Sequence, residues 1–396
     1  GQSFATYAPS TLGLTGQNPT TPLINGGVLT LNGTNTISLS GAMSVGAIPL
    51  IKYTSKTGSG SLTNLTLPQG VVGSISNGVD SVIYALITST GPGLVWTGTN
   101  AGAGLTNLWD NASTTNWLIG ATATTYRQPI IPGDAVTFND SGSGTVILNT
   151  NAGPSSVTIS NNAVTYNLGG RGNLTGSGGV TKLGTGTAIL SLTNDNYSGD
   201  TSISNGVLQV GTTTALSGTA NLNIGPSGTL ELAGLSQAVN NLFGEGTVDD
   251  NTTTNVALTV NNGGTWNGAI HDQGAGGGVS LTKIGNGTLV IGGSNYMTSP
   301  TASQVNAGLT IVTNGGSIIC ANSEYWVGAT AGLTATNIVD GGTVAAMNNF
   351  LVVGRGSANA IGTLIVNSGT VKKSGANVIV VGSLGATGTL IVNGGQ

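Results

Sequence analysis

Acidic side chains and a single histidine are the residues of this chain that could support acid–base chemistry. Cleavage of a polysaccharide needs two or three carboxylates within about 5–10 Å of one another, often beside an arginine or a lysine. The 13 acidic residues are spread over 396 positions, and only Glu245, Asp249–Asp250 and His271–Asp272 lie near one another. Their segments, FGEGTVDDNTT and AIHDQGAGGG, are typical of exposed turns. The sequence therefore predicts no catalytic residue and no enzyme.

Possible metal ligands are also sparse. The segment NDNYSGD offers the carboxylates of Asp195 and Asp200 to a calcium ion. Neither the spacing of an EF-hand nor a series of GGxGxD repeats accompanies them. One cysteine, Cys320, and one histidine exclude a metal site built from Cys and His side chains. We predict no metal and no cofactor, and we expect Cys320, in the apolar run SIIC, to be a buried small hydrophobic residue.

Three tryptophans are the best candidates for contact with a glycan. Trp96, Trp109 and Trp117 lie in the segments LVWTG, NLWDN and TNWLIG. Grouped on a surface, their rings could stack on sugars, whereas aromatic side chains in short strands more often form a core. The sequence leaves both interpretations open.

The charge distribution argues against several classes of partner. The net charge is −4, and the nine Lys and Arg residues are scattered, with only Lys372–Lys373 adjacent. Binding to nucleic acid requires a basic patch that this chain lacks. No apolar run approaches the ~18 residues that a transmembrane helix needs. The sequence predicts neither a nucleic-acid partner nor a membrane-spanning helix.

The elements that carry these side chains are predicted to be short β-strands. Glycine accounts for 68 residues, and only 6% of residues are charged, against roughly 25% in ordinary domains. A hydrophobic content of 38% argues against disorder. Short runs of Val, Ile and Leu alternate with turns of Gly, Asn, Ser and Thr, which is typical of strands. We therefore expect an all-β protein with many turns.

The C-terminal stretch 325–396 contains the same pattern three times. Gly328, Gly354 and Gly382 recur at nearly equal intervals, and the phrases NIVDGG, LIVNSG and LIVNGG recur with almost the same spacing. A nearly fixed period of this length indicates that each unit is one coil of a stack. Neighbouring coils of a β-solenoid lie ~4.8 Å apart, so charges stacked in a row would repel one another. This spacing accounts for the low charge content.

A longer repeat precedes these three copies. The segments 178–211 and 280–312 align on the motif T-K-L/I-G-x-G-T, with Lys182 and Lys283 at equivalent positions. The segment GPG at 91–93 is predicted to be a boundary. The predicted organisation comprises three regions: a β-rich N-terminal module (1–93), a tryptophan-containing β module (94–170) and a β-solenoid (171–396).

The unit GGVTKLGTGTAIL followed by NDNYSGDTSISNGVLQVG, at 178–211, resembles the autotransporter-associated (passenger-associated) β-strand repeat. The preceding segments WTGT, LWDNASTTNW and GDAVTFND resemble the sequence that often precedes this repeat in large secreted bacterial proteins. The copy at 280–312 departs from the pattern, with MTSPTAS after the tyrosine. The resemblance implies a right-handed parallel β-helix that is secreted or displayed on the bacterial cell surface. It implies no enzymatic activity, because the repeat is a spacer found with many different heads.

The third C-terminal repeat stops where the earlier copies continue into Thr-Val. Together with a start at Gly1, without a signal peptide, this indicates a processed or fragmentary product. We expect the last coil to present an unpaired strand without a cap. It would associate end to end with the N-terminal region of another copy. The predicted assembly surface consists of Leu390, Ile391, Val392, Asn393, Gly394, Gly395 and Gln396.

These features together predict a non-enzymatic structural protein of the bacterial cell surface or extracellular matrix. Its role would be that of a β-solenoid stalk or a filament subunit. The alternative is a carbohydrate-binding adhesin that uses Trp96, Trp109 and Trp117 to bind surface glycans. A third interpretation, a β-helix enzyme that degrades polysaccharides, requires several acidic side chains to converge in one groove.

Overall fold

The computed structural model of the chain describes residues 4–6, 10–15, 21–41, 43–78, 80–90, 93–99, 106–128, 131–272, 277–356 and 358–396. Every helix or strand in these ranges is a β-strand. The chain divides into two compact units: an N-terminal unit of residues 1–158 and 174–179, and a C-terminal unit of residues 159–173 and 180–396. The boundary predicted at 91–93 falls mostly outside the described residues, and the predicted module limits remain predictions.

The strands of the N-terminal unit are short. They are β1 (Phe4–Ala5), β2 (Thr11–Thr15), β3 (Ile24–Asn25), β4 (Val28–Thr30), β5 (Thr34–Ser40), β6 (Gly46–Lys52), β7 (Ser55–Thr57), β8 (Ser61–Thr66), β9 (Val71–Asn77), β10 (Val82–Thr90), β11 (Leu94–Trp96), β12 (Leu108–Trp109), β13 (Trp117–Ile119), β14 (Thr122–Thr124), β15 (Val136–Asn139) and β16 (Thr145–Leu148). The division between the units falls within β17 (Val157–Ser160).

The strands of the C-terminal unit differ widely in length. They are β18 (Tyr166–Gly170), β19 (Val180–Lys182), β20 (Thr187–Ser191), β21 (Thr201–Val210), β22 (Leu222–Glu231), β23 (Gln237–Gly244), β24 (Thr247–Asp249), β25 (Asn255–Trp266), β26 (Ala269–Ile270), β27 (Gly278–Lys283), β28 (Thr288–Ile291), β29 (Ser294–Met297), β30 (Ser303–Val305), β31 (Gly308–Thr313), β32 (Ser317–Cys320), β33 (Tyr325–Val327), β34 (Thr334–Ala346), β35 (Leu351–Val353), β36 (Ile361–Lys373), β37 (Ile379–Val381) and β38 (Thr387–Val392).

The first ten strands form a short parallel coil closed by a hairpin. Three parallel ladders run β1–β4–β7, β2–β5–β8 and β3–β6, and in all of them a residue pairs with one a single coil further along the chain. Strand β10 is antiparallel to both β6 and β9. Leu29, Leu31, Ile37 and Leu50 are buried between the ladders. The expected β-rich N-terminal region is therefore itself a small three-sided β-helix.

The rest of the N-terminal unit holds an aromatic cluster between short strands. Strand β11 pairs in parallel with β15, and β12 pairs in parallel with β16, while β13 is antiparallel to β11 and β14. A buried carboxylate, Asp134, fixes the adjacent turns because it accepts hydrogen bonds from the Arg127 N–H (2.9 Å) and from the Gln69 amide nitrogen (3.0 Å). The short strands are thus held by side-chain contacts as well as by their ladders.

Strands β18–β38 stack as successive parallel coils. Leu208 lies against Leu230, and Ile338 lies against Ile365, which is a slightly longer step along the chain. From Asn255 to Asn261 in β25 the burial alternates residue by residue, as expected for a strand with one face in a core. The predicted fold class, an all-β protein of parallel stacked strands that form a β-solenoid, is confirmed. Its handedness remains a prediction.

The repeated glycines occupy equivalent backbone positions in the last coils. Gly328, Gly354 and Gly382 all have φ values near +75°, a left-handed conformation that side chains disfavour. A Cβ atom added to Gly354 would lie 2.5 Å from the carbonyl oxygen of Thr387 in the next coil. Gly328 and Gly354 therefore lie where one coil passes close over the next.

Candidate functional site

The T-K-L-G-T-G motif forms a corner with a lysine inside the coil. Lys182 ends β19 and is fully buried, because its side chain points inwards like that of Val180. Its Nζ donates a hydrogen bond to the carbonyl oxygen of Gly184 and a longer one, 3.4 Å, to that of Asn205 in the next coil. A Cβ atom on Gly184 would overlap the Asn161 carbonyl oxygen. Gly184 allows the corner to lie close against the preceding coil, and Lys182 links it by a hydrogen bond to the following coil.

The second copy of the motif, T-K-I-G-N-G, builds the same corner. The buried Lys283 Nζ donates hydrogen bonds to the carbonyl oxygens of Ile284 (2.8 Å), Gly285 (2.8 Å) and Ala307 (3.2 Å). Burial lowers the pKa of Lys283 to about 8. Carbonyl dipoles that converge on an ammonium group offset part of its desolvation cost. The one motif shared by both long repeats therefore links adjacent coils.

Three titratable side chains lie in one row on successive coils. Glu231 pairs with Asp249 across the β22–β24 ladder, and the β24–β26 register places His271 next in the row. The Nδ1 atom of His271 lies 3.5 Å from Asp249 Oδ1. The sequence grouped Asp249 and His271 but missed Glu231, because only the pairing register brings that residue alongside them.

Backbone N–H groups occupy the carboxylates of this cluster. Glu231 accepts hydrogen bonds from the N–H groups of Ala233 (2.8 Å) and Asn251 (3.1 Å). Asp250, completely buried, accepts one from Gly234 (2.7 Å). Burial raises the pKa of Glu231, and the neighbouring carboxylates of Asp249 and Asp250 raise it further. The bond from Ala233 closes a turn after β22, and the bonds from Asn251 and Gly234 join adjacent coils, which is a structural use of the carboxylates.

The other acidic candidates lie apart from this row. The backbone N–H of Glu245 donates to the Ile224 carbonyl oxygen in a neighbouring coil. Asp272 accepts a hydrogen bond from the Thr298 hydroxyl. Within the described ranges, no group of three or more His, Cys, Asp and Glu side chains is arranged to hold a metal ion. Cys320 is fully buried, as the sequence predicted, and burial raises its pKa to about 11.

Asp200, one of the two calcium candidates, begins a chain of side-chain amides. It accepts a hydrogen bond from Asn221 Nδ2 (2.9 Å), Asn221 Oδ1 accepts one from Asn241 Nδ2 (2.8 Å), and Asn241 Oδ1 accepts one from Asn262 Nδ2 (3.1 Å). Asp195, the other candidate, is buried. The amide chain runs from coil to coil along the outside of the solenoid and links the coils in addition to the backbone ladder.

The three tryptophans proposed as a glycan surface are core residues. Trp96, Trp109 and Trp117 are at most 1% exposed. The ring centroid of Trp117 lies 4.9 Å from that of Trp96 and 5.3 Å from that of Trp109, edge to face in both cases. Tyr126 and Phe138 complete the cluster. A glycan contact at these three residues is therefore contradicted, because none of the rings presents a face to solvent.

A different tryptophan reaches the surface. Trp326, unlike the other four tryptophans, is not buried, and it points outwards because Tyr325 and Val327 beside it point inwards. The guanidinium carbon of Arg355 lies 4.6 Å from the centroid of the Trp326 ring, and its Nη2 lies 3.1 Å from Glu324 Oε2. The Trp326 indole N–H also donates to Glu324. The strict alternation in the segment YWV was the signal that could have identified this residue.

The predicted assembly surface lies on the last described coil. Strand β38 pairs with β36 of the preceding coil, and no described strand covers its opposite edge. Leu390 is 39% exposed and Val392 63% exposed, although their partners in the preceding coil, Leu364 and Val366, are buried. The segment 393–396 is partly or fully exposed. An apolar cavity of about 130 Å³ opens here, lined by Leu364, Val366, Val371, Ile379, Leu390, Val392 and Gln396.

Comparison with known proteins identifies the repeat. The segment 180–210, which includes the Lys182 corner, matches the family model of the passenger-associated-transport-repeat. Neither the comparison with curated proteins nor that with solved structures gave a match. In the described part of the chain, no helix is long and apolar enough to cross a membrane. The repeat and the β-solenoid together fit an autotransporter passenger domain.

Proposed function

We propose that this protein is a non-enzymatic structural component of the bacterial cell surface or extracellular matrix, in which the solenoid serves as a stalk or filament subunit. The observation that carries the proposal is the passenger-associated-transport-repeat at 180–210, which is continuous with parallel coils up to β38. A passenger repeat favours secretion or surface exposure. The lysines of the repeated motif, Lys182 and Lys283, link coil to coil, which is a structural use of the motif.

The polar clusters support a structural function over catalysis. Glu231 and Asp250 accept backbone hydrogen bonds at strand ends, and Asp200 accepts from the amide chain. A catalytic pair of carboxylates would instead face a groove that admits a sugar chain. Each of these carboxylates therefore links its own coil to an adjacent one.

End-to-end self-association is the second part of the proposal. An exposed strand edge with apolar side chains favours pairing with another strand. Leu390 and Val392 present such an edge on β38. We propose that a coil from a second copy covers it.

Electron microscopy and sedimentation velocity of the purified chain test this association. We expect fibres or linear oligomers for the wild type. Leu390→Asp should raise the concentration needed for assembly about tenfold or more, because pairing would desolvate the new charge. Leu384→Asp is the matched control, since Leu384 is a more exposed leucine, at 83%, outside any strand. Dispersed monomers of the wild type, or a longer natural chain whose own next coil covers β38, would refute the association.

Glycan binding at Trp326 is a second candidate function. An outward indole beside an arginine and a carboxylate combines a stacking surface with hydrogen-bonding groups, as sugar-binding sites do. We expect Trp326→Ala to reduce binding about tenfold on a glycan array. Tyr296→Ala is the control, because Tyr296 is an exposed aromatic residue on another coil. An array without hits for the wild type would remove this candidate.

A further inference from the structure

The two coils that would meet in an end-to-end assembly share one design. In the N-terminal unit, the turn formed by β4, β5 and β6 has a short strand followed by two longer ones, and the chain then returns to pair Val28 with Ser55 of β7. In the last coils, the short β35 precedes the long β36. The register of the β34–β36 ladder shifts between Val366 and Ser368, which divides β36 into two shorter strand segments. The chain then returns to pair Leu351 of β35 with Ile379 of β37, a step of nearly the same length. Coils of similar perimeter and the same strand order can stack on each other.

The inward and outward positions of the two edge strands also agree. In β2, Leu12 and Leu14 contact the core and lie against Ile37 and Leu39 of β5, whereas Thr11 is exposed. In β38, Leu390 pairs with the buried, inward Leu364 of β36, and Thr389 pairs with the outward Thr363. In both strands an outward threonine, Thr11 or Thr389, therefore precedes an inward leucine. A slip of one residue would reverse this agreement.

The two edge strands belong to parallel ladders and are free of charge. Strands β1, β2 and β3 each lie at the edge of their sheets, and the described residues supply no second partner for them. Among the described residues, β2 pairs only with β5 and β38 pairs only with β36, and both ladders are parallel. Strands β1, β2, β37 and β38 contain no charged residue. Their pairing would bury no unpaired charge.

We propose that β38 of one copy pairs in parallel with β2 of the next, with Leu390 against Leu12 and Val392 against Leu14. Strand β37 then lies over β1, and the open apolar cavity at β38 is filled by the leucines of β2. The contact is heterologous and repeats along a fibre, because each copy keeps one free edge of each kind. This inference rests on the proposed end-to-end association and specifies its register.

Cysteine cross-linking tests the register. In a full-length Cys320→Ala background, Thr11→Cys and Thr389→Cys would face each other on the outside of adjacent strands, at a Cα separation that a disulfide spans. We expect a ladder of covalent multimers on oxidation that reductant collapses. The control pair, Gly13→Cys with Thr389→Cys, is shifted by two positions to roughly 8 Å and should give about tenfold less cross-linking. Equal cross-linking of both pairs, or preference for the shifted pair, overturns the register.

Mixing two blocked variants provides a second measurement that needs no cross-link. Leu12→Asp blocks the β2 edge and Leu390→Asp blocks the β38 edge, so each variant alone should sediment as a monomer. Their mixture should form dimers and nothing larger, through the one intact β38 edge and the one intact β2 edge. Fibres of the wild type together with a mixture that stays monomeric overturn the register but leave association standing. A wild type that forms no fibres overturns the proposed function itself.

Discussion

Lys283 shows how a charged residue can be part of a solenoid interior. Its ammonium group is enclosed by three backbone carbonyls from two coils. The sequence revealed the correspondence with Lys182 but not the burial of either side chain. The signal for this burial is that Leu281 and Lys283, two positions apart in β27, share one face of the strand. A lysine in that position would nevertheless ordinarily be assigned to the surface.

The pKa of Lys283 leads to a pH-dependent prediction. The pKa of Lys283 is about 8 in the folded chain and 10.5 in the unfolded chain. Between pH 8 and pH 10.5, the unfolded chain therefore binds more protons than the folded chain. The wild type should therefore gain unfolding free energy as the pH rises from 8 to 10.5, and Lys283→Met should lack this gain. We expect the difference between the two proteins to change by about 2 kcal/mol over this range in urea unfolding.

Lys372→Met is the control for that measurement. Lys372 is exposed on β36, so its replacement removes one lysine and leaves the buried Lys283 corner intact. The deprotonation of other groups, including Cys320, contributes equally to the wild type and both variants. Parallel pH profiles for the wild type and Lys283→Met would contradict the prediction.

Among the elements, the glycine corners set the spacing of the last coils. Gly354 and Gly356 both have positive φ values, +76° and +60°. A Cβ atom on Gly354 would lie 2.5 Å from the Thr387 carbonyl oxygen, whereas one on Gly356 would meet nothing within 4 Å. Alanine substitutions at these two positions therefore distinguish two contributions to the free energy of unfolding. One is the cost of an alanine with positive φ, and the other is the cost of a clash with the next coil.

We expect Gly354→Ala to destabilise the chain clearly more than Gly356→Ala. The control variant should cost about 1 kcal/mol for its backbone conformation alone. Gly354→Ala should cost about 3 kcal/mol or more, since the Thr387 backbone must also move. Thermal unfolding followed by circular dichroism measures both variants. Equal losses would show that coil contact does not set the requirement for glycine at position 354.

Strands and coils could be predicted from the sequence where the sequence repeats itself. The last three coils were predicted from Gly328, Gly354 and Gly382, and the structure places all three at equivalent corners. The parallel coil formed by β1–β8 was predicted only as strands, because no repeated phrase marks the return of the chain from β4 to β7. Pairing between distant strands leaves little trace in local sequence when side chains at equivalent positions differ.

At the scale of the whole molecule, fold and repeat were predictable, but individual sites were not. Composition and period together indicated the β-solenoid, and the match at 180–210 agrees with the resemblance seen in the sequence. Of the two interpretations that the sequence left open for Trp96, Trp109 and Trp117, the structure shows the core, because three indoles from separate strands converge inside the N-terminal unit. Burial of that kind depends on tertiary contacts, which neither spacing nor composition encodes.

The stacked coils of the C-terminal unit have a mechanical consequence. Hydrogen bonds between parallel coils run along the stacking direction, so tension along that direction loads one ladder after another. Each coil that detaches would release a segment of chain that extends to roughly 70–95 Å in place of ~4.8 Å of stack. A tether built in this way lengthens stepwise under load and absorbs work at each step. The buried lysine corners and the amide chain from Asp200 would determine which coils yield last.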